Sequence, residues 1–117
     1  MKETKQEVLQ ETKGVTPEKI KAWKKEHGKV YKTTIGKEEY YWRKLKRKEY
    51  VSLMSTAKAD EDSNAHIYQR QELIVAATVL YPEDIQNLIE NDAGLATNLA
   101  DEVILKSGFD MPTTEEL

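Results

Sequence analysis

Residues 30–59 read VYKTTIGKEEYYWRKLKRKEYVSLMSTAKA, and a change of period inside this stretch decides the fold. Val30 to Ile35 alternates loosely and is rich in β-branched and aromatic residues, and Tyr40-Tyr41-Trp42 repeats that preference beyond Gly36. Two such runs around a glycine predict a β-hairpin over Val30–Arg43. Alternation places Tyr40 and Trp42 on one face and Tyr41 on the other. Past Lys46 the spacing switches. Tyr50, Leu53, Met54 and Ala57 fall at i, i+3, i+4 and i+7, one apolar stripe of a helix over about Arg47–Ala59. A lone hairpin is marginal in water, so this one must lean on a helix or a partner strand.

Working outward toward the N-terminus, Thr16-Pro17 is a helix start, a hydroxyl cap followed by a residue suited to the first helical position. The predicted helix, Pro17–His27, carries Ile20 and Trp23 one turn apart and ends at Gly28. Residues 1–14 hold only Val8 and Leu9 as apolar anchors in their middle, so they read as a flexible arm that orders on a partner. Toward the C-terminus, the polar run 60–64 precedes a second helix over about Ala65–Leu80, with Ile67, Ile74, Ala77 and Tyr81 on one face. Tyr81-Pro82 ends it, because the residue before proline avoids helical angles. A short helix beginning at Pro82 and a last one over about Ala93–Ser107 follow, and Gly108-Phe109 reads as a glycine stop with an apolar residue folding back on the final turn. The acidic tail 110–117 reads as loose. The expected fold is therefore α+β, mainly α: an N-terminal helix, one hairpin and a bundle of three to four short helices in a single domain over 15–109. Leu53, Ile74, Leu99 and Val103 should share its core.

Composition excludes several chemistries. The chain has 117 residues and no cysteine, so disulfides, zinc–thiolate sites and thiol catalysis are excluded. No apolar run approaches the ~20 residues of a membrane span, and the first residues lack a signal core. The net charge of −3 conceals a split between +7 over residues 1–50 and −10 over residues 51–117. The split fits attraction between the halves or head-to-tail attraction between copies. Eight acidic residues interrupt the basic half and make nucleic acid the less favoured partner.

A search for catalytic patterns is negative. His27 and His66 are far apart in charged surroundings, with no triad spacing, and read as surface residues. The five glycines are isolated, so there is no phosphate loop. Asp60, Asp62 and Asn64 imitate the start of a calcium loop, but Ala65 and Gln71 stand where glycine and glutamate are required, and the run reads as an acidic helix cap. No catalytic, cofactor or metal residue is assigned. The aromatics Tyr40, Tyr41 and Trp42 lie beside Arg43, Lys44, Lys46, Arg47 and Lys48 and admit two readings. They stack bases or anchor a protein interface, or they pack on the helices while the cations stay in water. Packing is the favoured reading of the run, and the docking site expected is whichever hairpin face, Tyr40 with Trp42 or Tyr41, the following helix leaves open, with Arg43 and Arg47 at its rim. The competing reading covers the Tyr41 face with Ile20 and Trp23.

One ordered set of short motifs carries a resemblance. They are Arg43-Lys44-Leu45, Arg47-Lys48-Glu49-Tyr50, Val79-Leu80-Tyr81-Pro82, Ala93-Gly94, Leu99-Ala100, Val103-Ile104-Leu105 and Ser107-Gly108-Phe109. In this order the stretch 28–109 resembles small proteins of tailed bacteriophages, described as tail assembly chaperones or as small tail and baseplate proteins. The chain departs from the pattern at Lys46, where a helix-capping Thr is frequent. The resemblance implies a non-catalytic protein without cofactors, in the host cytoplasm during assembly or in the virion. Its implied partners are a tape measure protein or other tail or baseplate subunits, with copies able to self-associate along one client. Three functions follow: a tail assembly chaperone, a structural component of tail, baseplate or neck, and a small nucleic-acid-binding or host-directed regulator.

Overall fold

The computed structural model describes residues 14–56 and 65–117. Its elements run α1 (Pro17–His27), β1 (Val30–Ile35), β2 (Glu38–Arg43), α2 (Arg47–Thr56), α3 (Ala65–Thr78), β3 (Val79–Tyr81), α4 (Ile85–Asn91) and α5 (Leu95–Lys106). The protein is α+β and mainly helical. The expectations for residues 1–13, the calcium-like run 60–64 and the end of the α2 stripe at Ala57 fall outside the described residues.

Local chemistry sets α1 as the sequence suggests. Thr16 Oγ1 accepts from the Lys19 amide at 3.1 Å, and Gly28, at φ 90°, donates its N–H to Lys24 O at 2.9 Å. The hairpin forms with Ile35 opposite Glu38 across a two-residue turn, and Gly36 takes φ 64° at the first central position. Glycine suits that position, because an L side chain is strained at positive φ.

One element differs from expectation. Val79–Tyr81 is not the last turn of the preceding helix but a third strand, antiparallel to β2, in the order β1-β2-β3. Tyr41 pairs with Tyr81 and Trp42 with Val79, so Leu80 is the extra residue of a bulge. The physical reason is a competition for hydrogen bonds. Tyr81 precedes proline and is pushed toward extended angles, and β2 presents an unpaired edge that three residues of β-forming type satisfy. Thr78 closes the helix by donating its hydroxyl to Ile74 O at 2.8 Å.

The sheet separates two layers. Tyr40 and Trp42 face the main core, where they join Leu45, Ile74, Val75, Ile85, Leu95, Leu99, Ala100 and Val103. Leu53, expected in this core with Ile74, Leu99 and Val103, packs against it from a half-buried position. On the opposite face Trp23 of α1 lies 5.9 Å from the Tyr41 ring, and Tyr81 meets Tyr41 edge-on at 6.3 Å. The face assigned to α3 also needs correction. Ile74, Val75 and Thr78 are buried, whereas Ile67 is 43% exposed. Ile74, and Val75 on the broad apolar face beside it, thus point inward as expected, whereas Ile67 does not, and Tyr81 belongs to β3 because the helix stops at Thr78.

α4 begins at Ile85 rather than at Pro82, with Asp84 in the capping position. Residues 110–117 have no regular secondary structure and are exposed.

Candidate protein-docking surface

Both faces of the hairpin are covered, and this relocates the expected site. Trp42 is 1% exposed, Tyr40 6% and Tyr41 9%. Trp42 stacks on Tyr31 with centroids 4.6 Å apart, and its Nε1–H donates to Thr33 Oγ1 at 2.8 Å. Tyr41 donates its hydroxyl to Glu39 Oε1 at 3.2 Å. Burial, then the nearby Glu39 carboxylate, raises the Tyr41 hydroxyl above the ordinary tyrosine pKa. The expectation that one face of the hairpin, Tyr40 with Trp42 or Tyr41, stays open as a docking site is therefore corrected. The N-terminal helix supplies the missing cover through Trp23, and the rings are not presented to stack bases.

Arg43 is half-buried and acts as a staple. Its Nη1 donates to Glu49 Oε1 at 2.9 Å and its Nη2 to Glu49 Oε2 at 2.6 Å, a two-pronged ion pair. Nη2 also donates to Ala77 O at 2.8 Å, and Nη1 to Lys44 O at 3.1 Å. One guanidinium thus ties the end of β2 to the start of α2 and the end of α3. Glu49 in turn accepts from the Lys46 amide at 3.0 Å, the reciprocal half of a capping box. Lys46 has no side-chain acceptor and so cannot make the other half, in which the capping side chain would accept from the Glu49 amide. The Arg43 guanidinium holds the Glu49 carboxyl below the ordinary carboxylate range, against the opposing effect of partial burial.

This depressed pKa has a sign. Folding stability from the pair is present above the unfolded carboxylate pKa and is lost as pH falls through the lower, folded one. The urea midpoint should decline as pH drops from about 5 toward 3, and Glu49→Gln should flatten that acid limb. An identical acid limb in the variant would show that Glu49 does not contribute to it.

Two further contacts link motif residues that are distant in sequence. The Leu45 amide donates to Ser107 Oγ at 2.9 Å, and Phe109 packs on Tyr50 at 4.9 Å. Phe109 therefore reaches across to α2 rather than folding back only on its own helix, and it stays 43% exposed. Arg47, the last residue of the expected site, is exposed, with its guanidinium carbon 5.8 Å from the Tyr50 ring centroid.

The open surface lies on α2. None of its side chains from Arg47 to Ser55 is fully buried, and the stripe Tyr50, Leu53, Met54 is only half covered. Val51 is 46% exposed. A groove of about 450 Å³ runs between α2 and α3, lined by Lys48, Glu49, Ser52, Leu53 and Ala77. The Arg43 bonds to Glu49 and Ala77 join the start of α2 to the end of α3, and Ile67 and Tyr68, near the start of α3, are exposed. Sequence periodicity marked the α2 stripe as apolar but carried no signal that its cover is incomplete.

His27 is partly buried, with Nε2 3.7 Å from Glu26 Oε1. Among the described residues, no group of His, Cys, Asp and Glu is placed to hold a metal ion. Nor is any helix long and apolar enough to cross a membrane.

No protein-family model and no curated protein matches the chain. A solved structure of an uncharacterised protein from Bacillus stearothermophilus, rbstp2171, is similar in fold, with a TM-score of 0.61 and 17% identity. The similarity covers 82% of this chain and 98% of that one. At this identity the likeness speaks for the fold alone.

Proposed function

We propose that the protein is a non-catalytic assembly chaperone of the phage-tail type, which shields an apolar helical segment of a tail protein before the tail polymerises. The observation that carries this reading is the half-covered stripe of α2 beside an open, largely apolar groove. An amphipathic helix is the natural occupant, because it buries a row of side chains at i, i+3 and i+4 spacing in such a groove. The ordered motifs add support. Arg43 with Glu49, Leu45 with Ser107, and Tyr50 with Phe109 contact one another, so the residues behind the resemblance form one structural unit.

The test is co-expression with the tape-measure-like helical protein encoded in the same genome, followed by titration with segments of it. A soluble complex is expected. Lys48→Glu, at an exposed position on the groove wall, should weaken it by about tenfold or more and leave the melting temperature unchanged. The protein should be missing from purified particles. Presence in particles at fixed copy number would instead favour a structural tail or baseplate component, and undiminished binding by Lys48→Glu would remove this groove from the interface.

A further inference from the structure

We infer that the free edge of β1, with the groove beside it, is a second docking site that takes an extended, basic peptide segment as a fourth strand. The inference is independent of the α2 groove.

β1 is an edge strand, paired only with β2. The two-residue turn makes Ile35 and Glu38 the closing hydrogen-bonded pair, and alternation then turns the backbone groups of Ile35, Thr33 and Tyr31 toward β2. The N–H and C=O groups of Lys32 and Thr34 therefore point away from the sheet. Unpaired strand edges either carry a protective device or recruit a strand. Among the described residues no helix seals the edge. A groove of about 540 Å³ opens beside it, with Lys32, Thr33, Thr34 and Ile35 on the strand side and Asn98, Asp101 and Glu102 of α5 on the other. An edge strand facing a helix across an open groove has the geometry of strand addition: the ladder supplies affinity, and the helix wall reads every second side chain.

Charge selects the occupant. Among the described residues the one cation lining the groove, Lys32, is already 3.7 Å from Glu39 Oε2 on its own sheet. Asp101 and Glu102, one turn and a residue beyond Asn98 on the same flank of α5, form no ion pair with a described residue. The groove thus presents to whatever lies along β1 two carboxylates that no described residue pairs with. A segment with Lys or Arg at alternate positions satisfies them while its backbone completes the ladder. Acidic segments are repelled, which gives the site a sign as well as a shape.

The full-length protein should be titrated with a short labelled acetylated peptide alternating lysine and valine, alongside the matching glutamate–valine peptide, and followed by fluorescence anisotropy. The basic peptide is expected to bind and the acidic one to fail. Amide exchange at Lys32 and Thr34 should slow on binding. The pair of substitutions Asp101→Asn and Glu102→Gln should weaken binding by about tenfold, with circular dichroism unchanged. Thr34→Pro, which removes an outward N–H and no ladder bond, should abolish it. Equal binding of both peptides, protection elsewhere than β1, or undiminished affinity in the carboxylate variant would overturn the inference. Concentration-dependent dimerisation that protects Lys32 and Thr34 without added peptide would overturn it too, by assigning the edge to a second copy of the chain.

Discussion

Replacing Trp42 with alanine should lower the free energy of unfolding by about 3–5 kcal/mol, the range for removing a fully buried large aromatic. The indole is 1% exposed, stacks on Tyr31 with planes 16° apart, and lies in the strand that holds the sheet together, between β1 and β3. Three losses coincide. The apolar contact area disappears, a cavity opens against Leu99 and its neighbours, and the Thr33 hydroxyl loses its 2.8 Å partner. Trp42→Phe keeps a ring against Tyr31 and forfeits the Nε1 hydrogen bond, so its cost should be about 1–2 kcal/mol. Urea unfolding followed by circular dichroism measures both. An unchanged midpoint in Trp42→Ala would show that the ring is not a core element, and would reopen the reading of this aromatic run as a docking face.

Arg43→Ala should cost about 2–3 kcal/mol. The guanidinium side chain is 14% exposed and its carboxylate partner 34%, so solvent screens part of the attraction. The larger part of the loss comes from stranded acceptors: Glu49 without its fork and Ala77 O without a donor, at the junction of β2, α2 and α3. Arg43→Lys should recover only a fraction, because an ammonium is a point charge that cannot hold both carboxylate oxygens and a carbonyl at once. A double-mutant cycle with Glu49→Ala should return a coupling of about 1–2 kcal/mol. Additive effects would mean that the pair is a surface contact of no consequence.

These two residues show how differently the chain discloses its parts. The hairpin, its face assignment and the start and stop of α1 were legible from local chemistry: the hydroxyl of Thr16, the ring of Pro17, the glycines at 28 and 36, and the alternation of Tyr40, Tyr41 and Trp42. Arg43 stood out as a member of a cationic run and was placed at the rim of an interface. Its partner Glu49 lies within reach of a sequence reading, six residues on, but Ala77 O lies 34 residues away. Nothing in the spacing of a carbonyl reveals such a contact.

The sequence by itself determined the α+β class, the hairpin, the places of the helices and the apolar stripe of α2, because each follows from short-range sterics and from periodicity over a few turns. The tertiary structure alone decided three things. It made Val79–Tyr81 a strand, because a run of three residues has no period of its own and took the conformation that the free edge of β2 would pair with. It buried both faces of the hairpin, because α1 folds over Tyr41, and the cover of a face is a property of what meets it rather than of the face. It left the stripe of α2 half covered and the edge of β1 open beside α5. Exposure of this kind is the remainder after all long-range contacts are made, and no local pattern encodes it.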